Sequence, residues 1–167
     1  FPLDSNPTFY PKSMLKPENY FDQFVLCWLA TVSEKGVPNV SPKELFIFER
    51  EKQLLIANLA SPQSVKNIRA NPQVCVSGVN IWTQKGLQCK GKAIVIDPKN
   101  KKFEQKKKLF KTLIQGKFKV LHIIQIQIET VKEIKAPSYL FIKETTEQSQ
   151  LEAAKMRYRA LFVEQKE

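Results

Sequence analysis

The segment Ser61–Pro72, SPQSVKNIRANP, concentrates side chains able to hold an anion. Ser61 and Ser64 offer hydroxyls, Lys66 and Arg69 offer positive charge, and Pro62 suits the first position of a helix. A helix N-terminus presents unpaired N–H groups and the positive end of the macrodipole, a natural seat for phosphate. Ser61 also reads as the N-cap of that helix. Serine at a helix start is commonly only a cap, and a helical lysine is commonly only solvated. The segment by itself therefore names no ligand.

Other chemistry finds less support. The sole histidine, His122, sits in the apolar run Leu121-His122-Ile123-Ile124 and reads as a structural residue at a strand edge. A nucleophile–histidine mechanism has no second anchor in such a run. The cysteines Cys27, Cys75 and Cys89 are widely spaced, no pair at metal-ligand spacing, so no zinc site is expected and they read as small apolar fillers. There is no phosphate-binding glycine loop and no G-x-S-x-G elbow. No catalytic residue can be named.

The elements that would position the segment read mainly as strands. Pro17–Phe24 suits a short helix after an N-terminal arm. Val25–Ser33 is rich in β-branched and aromatic residues, Glu34-Lys35-Gly36 is a tight turn, and Val37–Glu49 is the next strand. Pro38 and Pro42 mark that strand as an edge or a bulge. Arg50-Glu51-Lys52 turns the chain into Gln53–Asn58. After the helix Ser61–Ala70, which Asn71-Pro72 ends, Gln73–Thr83 alternates as a half-buried strand should. Gln84-Lys85-Gly86 turns again, and Leu87–Asp97 comes next with Gly91 as a bulge. Lys99–Gly116 reads as one amphipathic helix with Phe103, Phe110, Leu113 and Ile114 on its apolar face. Phe118–Ile134 is a long strand, Lys135–Lys143 a loop with a short extended piece, and Thr146–Val163 a closing helix. That helix carries Leu151, Ala154, Tyr158, Leu161 and Phe162 on its apolar side. About six strands in meander order, with one helix inserted, favour an antiparallel split β-barrel with flanking helices, an α+β fold.

A chain of 167 residues with 43% apolar composition is long enough for one self-sufficient core, and a single domain is expected with its core over 25–134. The net charge of +11 favours anionic partners without choosing among them. The proline- and acid-bearing N-terminus does not read as a signal peptide, and no apolar run reaches membrane-spanning length. A cytoplasmic protein with no membrane contact is expected, and scattered thiols suit a reducing compartment. Nine lysines fall between Lys99 and Lys119 with Glu104 as the only acid. They read as the solvated face of an amphipathic helix, and a contact with nucleic acid is not expected without a groove-reading motif.

The order of the pieces carries a resemblance. LATVSEKGVPNVSPKELF, then LLIANLASPQSVKNIRANPQVCVS, then QKGLQCKGKAIVI resembles the pyridoxamine 5′-phosphate oxidase-like family of FMN-binding split barrels, closely over Val25–Asp97. The later KAPSY, Lys135–Tyr139, is similar to one branch of that family, and Lys99–Lys119 looks like an expansion. The resemblance implies a homodimer with FMN at the subunit interface. It places Ser64 and Lys66 as the Ser-x-Lys pair at the FMN phosphate, with Ser61 the alternative serine if the gap before Asn71-Pro72 falls elsewhere. Ser41, Pro42, Lys43 and Glu44 fall on the strand beside the flavin. Ala57 and Asn58 fall at the strand end facing the ribityl chain and ring, and Gln88 on the fifth strand. The family's oxidases carry Arg and Lys where this chain has Ser41, Phe46 and Val65, so vitamin B6 oxidation itself is not expected. The resemblance implies instead an FMN-dependent oxidoreductase of unknown small-molecule substrate, with Lys43 placed to stabilise a reduced, anionic flavin. The alternatives are a flavin- or ligand-binding module without turnover and, ranked last, a nucleic-acid-binding protein acting through Lys99–Lys119.

Overall fold

The computed structural model describes residues 17–49 and 52–163. The arm before residue 17, the pair Arg50-Glu51 and the side chains of Leu161 and Phe162 lie outside the described residues. The chain forms a helix α1 (Pro17–Phe21), strands β1 (Cys27–Val32), β2 (Pro38–Lys43), β3 (Phe46–Glu49) and β4 (Gln53–Asn58), and a helix α2 (Pro62–Ala70). Strands β5 (Gln73–Asn80) and β6 (Lys85–Ile96), helices α3 (Lys102–Lys108) and α4 (Lys111–Ile114), strand β7 (His122–Lys135) and helices α5 (Ser138–Phe141) and α6 (Glu147–Val163) complete it.

The strands form one antiparallel sheet in the order β2-β1-β5-β6-β7-β4-β3. It curls around a core built from the inward residue of each strand: Cys27 and Leu29, Leu54 and Ile56, Val74 and Val76, Leu87 and Cys89, and Ile124 and Ile126. This is the expected split barrel with flanking helices. Helix α2 closes one end by inserting Ile68 into that core. A second core lies on the other face of β4 and β7, where Leu55, Ala57, Ile96 and Ile123 meet Phe103, Phe110 and Ile114 of the lysine-rich segment.

Seven strands appear instead of about six, because the expected strand Val37–Glu49 is two. β2 pairs with β1 through Cys27↔Lys43, whereas β3 pairs with β4 through Phe46↔Ile56. Glu44 and Leu45 carry the chain from one side of the split to the other. Leu45 is buried in the second core, and its carbonyl accepts from the Ala57 N–H at 2.9 Å. β2 and β3 pair with strands at opposite ends of the sheet order, so one straight strand could not serve both ladders.

Other differences have local causes. The β5–β6 turn occupies Ile81–Gln84, and Gln84, not a glycine, takes the left-handed conformation at φ 56°. Gly86 lies within β6, pressed against the backbone of Gly78. The helix expected over Lys99–Gly116 breaks at Leu109–Phe110 into α3 and α4, which lets Phe103, Phe110 and Ile114 all reach one core. The extended piece expected within Lys135–Lys143 is the helical turn α5, closed by Ile142 N–H donating to the Ser138 carbonyl at 2.9 Å. The first helix stops at Phe21 rather than Phe24. His122 opens β7, a strand paired on both sides, rather than lying on a sheet edge.

Gly91 lies at the expected irregularity, where the β6–β7 register shifts between Lys90 and Gly91. A Cβ there would fall 2.0 Å from the Gln127 carbonyl oxygen. Gly91→Ala should therefore cost at least about 2 kcal/mol of stability, since a backbone atom cannot step aside as a side chain can. Gly36→Ala meets open space at a φ of +78° and should cost only about 1–2 kcal/mol for the left-handed backbone. Urea midpoints of the two variants check the order; a Gly91 variant less affected than the Gly36 variant would contradict it.

Candidate functional site

The split in the barrel is closed by side chains. β2 is the edge of its side of the sheet, and its inward residues Asn39, Ser41 and Lys43 have no neighbouring strand beyond them. Instead they reach α2 and the end of β4. Ser41 Oγ and Ser64 Oγ share a hydrogen bond of 2.9 Å, and Asn39 Nδ2 donates to Ser64 Oγ at 3.4 Å. Lys43 Nζ donates to Asn58 Oδ1 at 3.1 Å and to Ser61 Oγ at 2.6 Å. Asn67 Nδ2 donates to Thr31 Oγ1 at 3.0 Å, and Gln63 Nε2 donates to Asn67 Oδ1 at 2.7 Å. The polar residues fully buried among the described residues are Thr31, Lys43, Asn58, Ser64 and Asn67. All of them belong to this one seam.

The seam is electrostatically lopsided. Lys43 is only 5% exposed, yet among the described residues no carboxylate lies within ion-pair distance of its ammonium. Both partners are neutral oxygens. Burial pushes its pKa down to about 8, partly opposed by the neighbouring Cys27 thiol. Beside it lies the start of α2, where Ser61 occupies the N-cap position without capping: its hydroxyl accepts from Lys43 instead of from a helix N–H. Pro62 has no N–H to satisfy. A buried cation and the positive end of a helix thus face each other with no negative charge between them among the described residues. Burial pushes Cys27 and Cys89 up to about 12, so neither thiol is a nucleophile near neutral pH.

The seam gathers Ser41, Lys43, Asn58, Ser61 and Ser64, but not every residue singled out from the sequence. Ala57 turns to the opposite face of β4, into the second core. Lys66 is exposed on the outer flank of α2, bordering a concavity of about 520 Å³ with Ser33, Lys35, Gln63 and Arg69. Arg69 itself pairs with Asp97 at 2.5 Å. Pro42 and Gln88 lie on the outer face of the sheet, in the row Pro42–Trp28–Ser77–Gln88. Glu44 is exposed where the chain leaves β2. Sequence reasoning misses Thr31, Asn39 and Asn67. The signal is present: Thr31 and Asn39 share the inward parity of Leu29 and Ser41, and Asn67 follows Ser64 by three on α2. His122 stands outside the seam, with Nε2 3.5 Å from Asp97 Oδ1 and a buried Nδ1 that has no partner.

Residues 18–135 match the family model described as pyridoxamine 5′-phosphate oxidase, and the chain belongs to that family. Among solved structures it is similar to the HupZ protein of Group A Streptococcus, at 22% identity and a TM-score of 0.63, over 74% of this chain and 96% of that one. An FMN-binding protein from Syntrophomonas wolfei is similar at 11% identity and a TM-score of 0.62, over 72% and 85%. The heme storage protein HutZ of Vibrio cholerae is similar at 20% identity and a TM-score of 0.51, over 71% and 94%. At these identities the likeness is one of fold. No characterised protein sequence matches the chain.

Lys43 makes stability depend on pH in a stated direction. Its folded pKa, about 8, lies below the ordinary 10.5. The fold therefore disfavours the charged form, the penalty is complete below about pH 8, and it is relieved as pH rises toward 10.5. The unfolding free energy of the wild type, measured against Lys43→Met in urea from pH 7 to pH 10, should rise across that window. The buried cysteines act in the opposite sense above pH 9 but are common to both proteins. A flat difference would show that the ammonium is not desolvated.

Proposed function

We propose that this protein is a flavoprotein that binds FMN as a homodimer, with the FMN phosphate held at the seam between β2 and α2. The observation that carries the reading is the buried Lys43 ammonium without a carboxylate, set against the uncapped start of α2. Burying an unpaired ammonium costs several kcal/mol, and a phosphate is the kind of group that would offset both positive charges at once. Lys43 and Ser61 would hold the phosphate, Asn58 would orient Lys43, and the Ser41–Ser64 pair would fix α2 against β2. Lys66 adds positive charge from the outer flank of the helix. Bound FMN would supply hydride or single-electron transfer. The reaction proposed is an oxidoreduction of a small molecule, in a reducing cytoplasmic setting that suits three free thiols. A binding module without turnover is the alternative. The family and the fold shared with the Syntrophomonas FMN-binding protein support the flavin. A heme, as in HutZ, would need an open ligand. The single histidine has one ring nitrogen buried and the other turned to Asp97.

The proposed dimer would form through the outer face of the sheet. Trp28, 47% exposed, and Val40, 57% exposed, stand there with Pro42, Ala30, Cys75 and Ser77, an apolar face bordered by the charge of Lys90 beside Cys75. A second copy would cover this apolar surface and bring Pro42 and Gln88 to the edge of the flavin site.

Visible absorption of the purified protein, before and after addition of FMN and desalting, tests the cofactor: one flavin per chain is expected, and none retained or titratable would end the reading. Lys43→Ala should weaken FMN at least tenfold. Because phosphate favours the protonated lysine, wild-type affinity should fall as pH rises above about 8. That loss should be absent in the Lys43 variant. Reduction of bound flavin by NADH or NADPH separates the oxidoreductase from the binding module. Trp28→Glu should give a monomer by sedimentation velocity and lose FMN with it; a dimer that persists would place the interface elsewhere.

A further inference from the structure

The lysine-rich segment is absorbed by neither the barrel nor the seam. Folding requires of it only Phe103, Phe110 and Ile114, which reach the second core. Of its nine lysines, Lys106 pairs with Glu49 and Lys107 with Glu104. The remaining lysines, Lys99, Lys101, Lys102, Lys108, Lys111, Lys117 and Lys119, are exposed and have no acidic partner among the described residues. Like charges three and four apart on a helix repel, so this density is a cost that the fold does not call for.

The structure also shapes these charges. Lys107, Lys108 and Lys111 border a concavity of about 220 Å³ whose remaining walls are Glu104, Ile114 and Gly116. The left-handed pair Gln115 and Gly116 ends α4 and turns the chain back, so that Lys117 N–H donates to the Ile114 carbonyl at 2.9 Å. The segment is thus a cationic surface on a packed scaffold rather than a solvated tail. Leu109, Leu113 and Phe118 are exposed on the same segment but do not line the concavity, so the cations gather apart from them; a bilayer, which such side chains could anchor, is the competing partner that the test separates. The cations are lysines throughout, point charges suited to phosphate but not to reading base edges bidentately. On β4, Ala57 faces this segment whereas Asn58 faces the seam, so the surface lies across the sheet from the proposed flavin site.

We propose that the α3–α4 surface binds the phosphate backbone of nucleic acid without regard to sequence. Lys108 and Lys111, which border the same concavity from either side of the break between α3 and α4, would contact phosphates of one strand, with Lys107 and Lys117 beside them. The sequence taken alone argues for a merely solvated face; the unpaired charge gathered around a concavity is what changes the reading. The proposal does not depend on flavin.

Fluorescence anisotropy of a labelled 20-base-pair duplex of mixed sequence, with the full chain, tests it. Affinity should fall steeply with salt, with a log–log slope of about −3 to −4 for roughly four phosphates. It should also be unchanged when the duplex sequence is scrambled. Lys108→Glu with Lys111→Glu should lose at least tenfold in affinity and flatten the slope. Neither side chain has a partner to lose among the described residues, so the melting temperature should hold. Lys143→Glu with Lys155→Glu makes the same charge change elsewhere and should stay within about twofold. Equal losses from both pairs would reduce the effect to net charge and overturn the proposal. Wild-type binding by the Lys108/Lys111 variant would overturn it too. So would lysine-dependent sedimentation with phosphatidylserine vesicles in the absence of duplex binding.

Discussion

The buried ammonium of Lys43 is the interaction around which the rest of this molecule is arranged. It joins three elements distant in sequence: β2 through its own backbone, β4 through Asn58 and α2 through Ser61. The sheet cannot make this connection itself, because β2 and β3 end the strand order on opposite sides and leave the barrel split. Backbone hydrogen bonds close an ordinary barrel. Here buried polar side chains close it, and each is satisfied by another member of the seam. The charge is the exception. Among the described residues it has hydrogen bonds but no counter-charge, an imbalance that a purely structural seam would not require.

The two faces of the strands divide the work. Residues of one parity on β4 and β7, Ile56 and Ile124 among them, fill the barrel, whereas Leu55 and Ile123 build the core under α3 and α4. Strand alternation therefore separates Asn58, in the seam, from Ala57, beneath the lysine-rich segment, although they are adjacent in sequence. The same alternation on β1 and β2 turns Leu29, Ser41 and Lys43 inward and leaves Trp28, Val40 and Pro42 outside. One short stretch of chain thus supplies both the buried seam and the apolar outer face.

The lysine-rich segment shows how a local pattern can be sound in register and wrong in geometry. The apolar spacing of Phe103, Phe110 and Ile114 marks one inward face, but Leu113, expected on that face, is exposed, because the break before α4 turns it outward. That spacing predicts a continuous helix, but Phe110 adopts a non-helical conformation at the start of α4 and the helix breaks there. Propensity along the segment is smooth; the break comes from fitting three large side chains to a curved sheet, information absent from a local window.

What this sequence determined by itself was the order and polarity of its elements. Alternation located the strands, Gly36 and Gly91 marked a turn and a bulge, and the spacing around Ser61–Pro72 marked the helix that borders the site. Short-range sterics and burial parity act within a few residues, and so they are written locally. Tertiary structure alone decided which side chains meet. Ser61 looks like a cap and is instead an acceptor for a lysine eighteen residues away. Ser64 and Lys66, two apart on one helix, point into the seam and away from it. Thr31, Asn39 and Asn67 join the seam although only their inward placement, and no local chemistry, marks them. Hydrogen bonds between distant elements depend on how the sheet curls and where α2 lies across its open end, and that is settled only when the whole core packs.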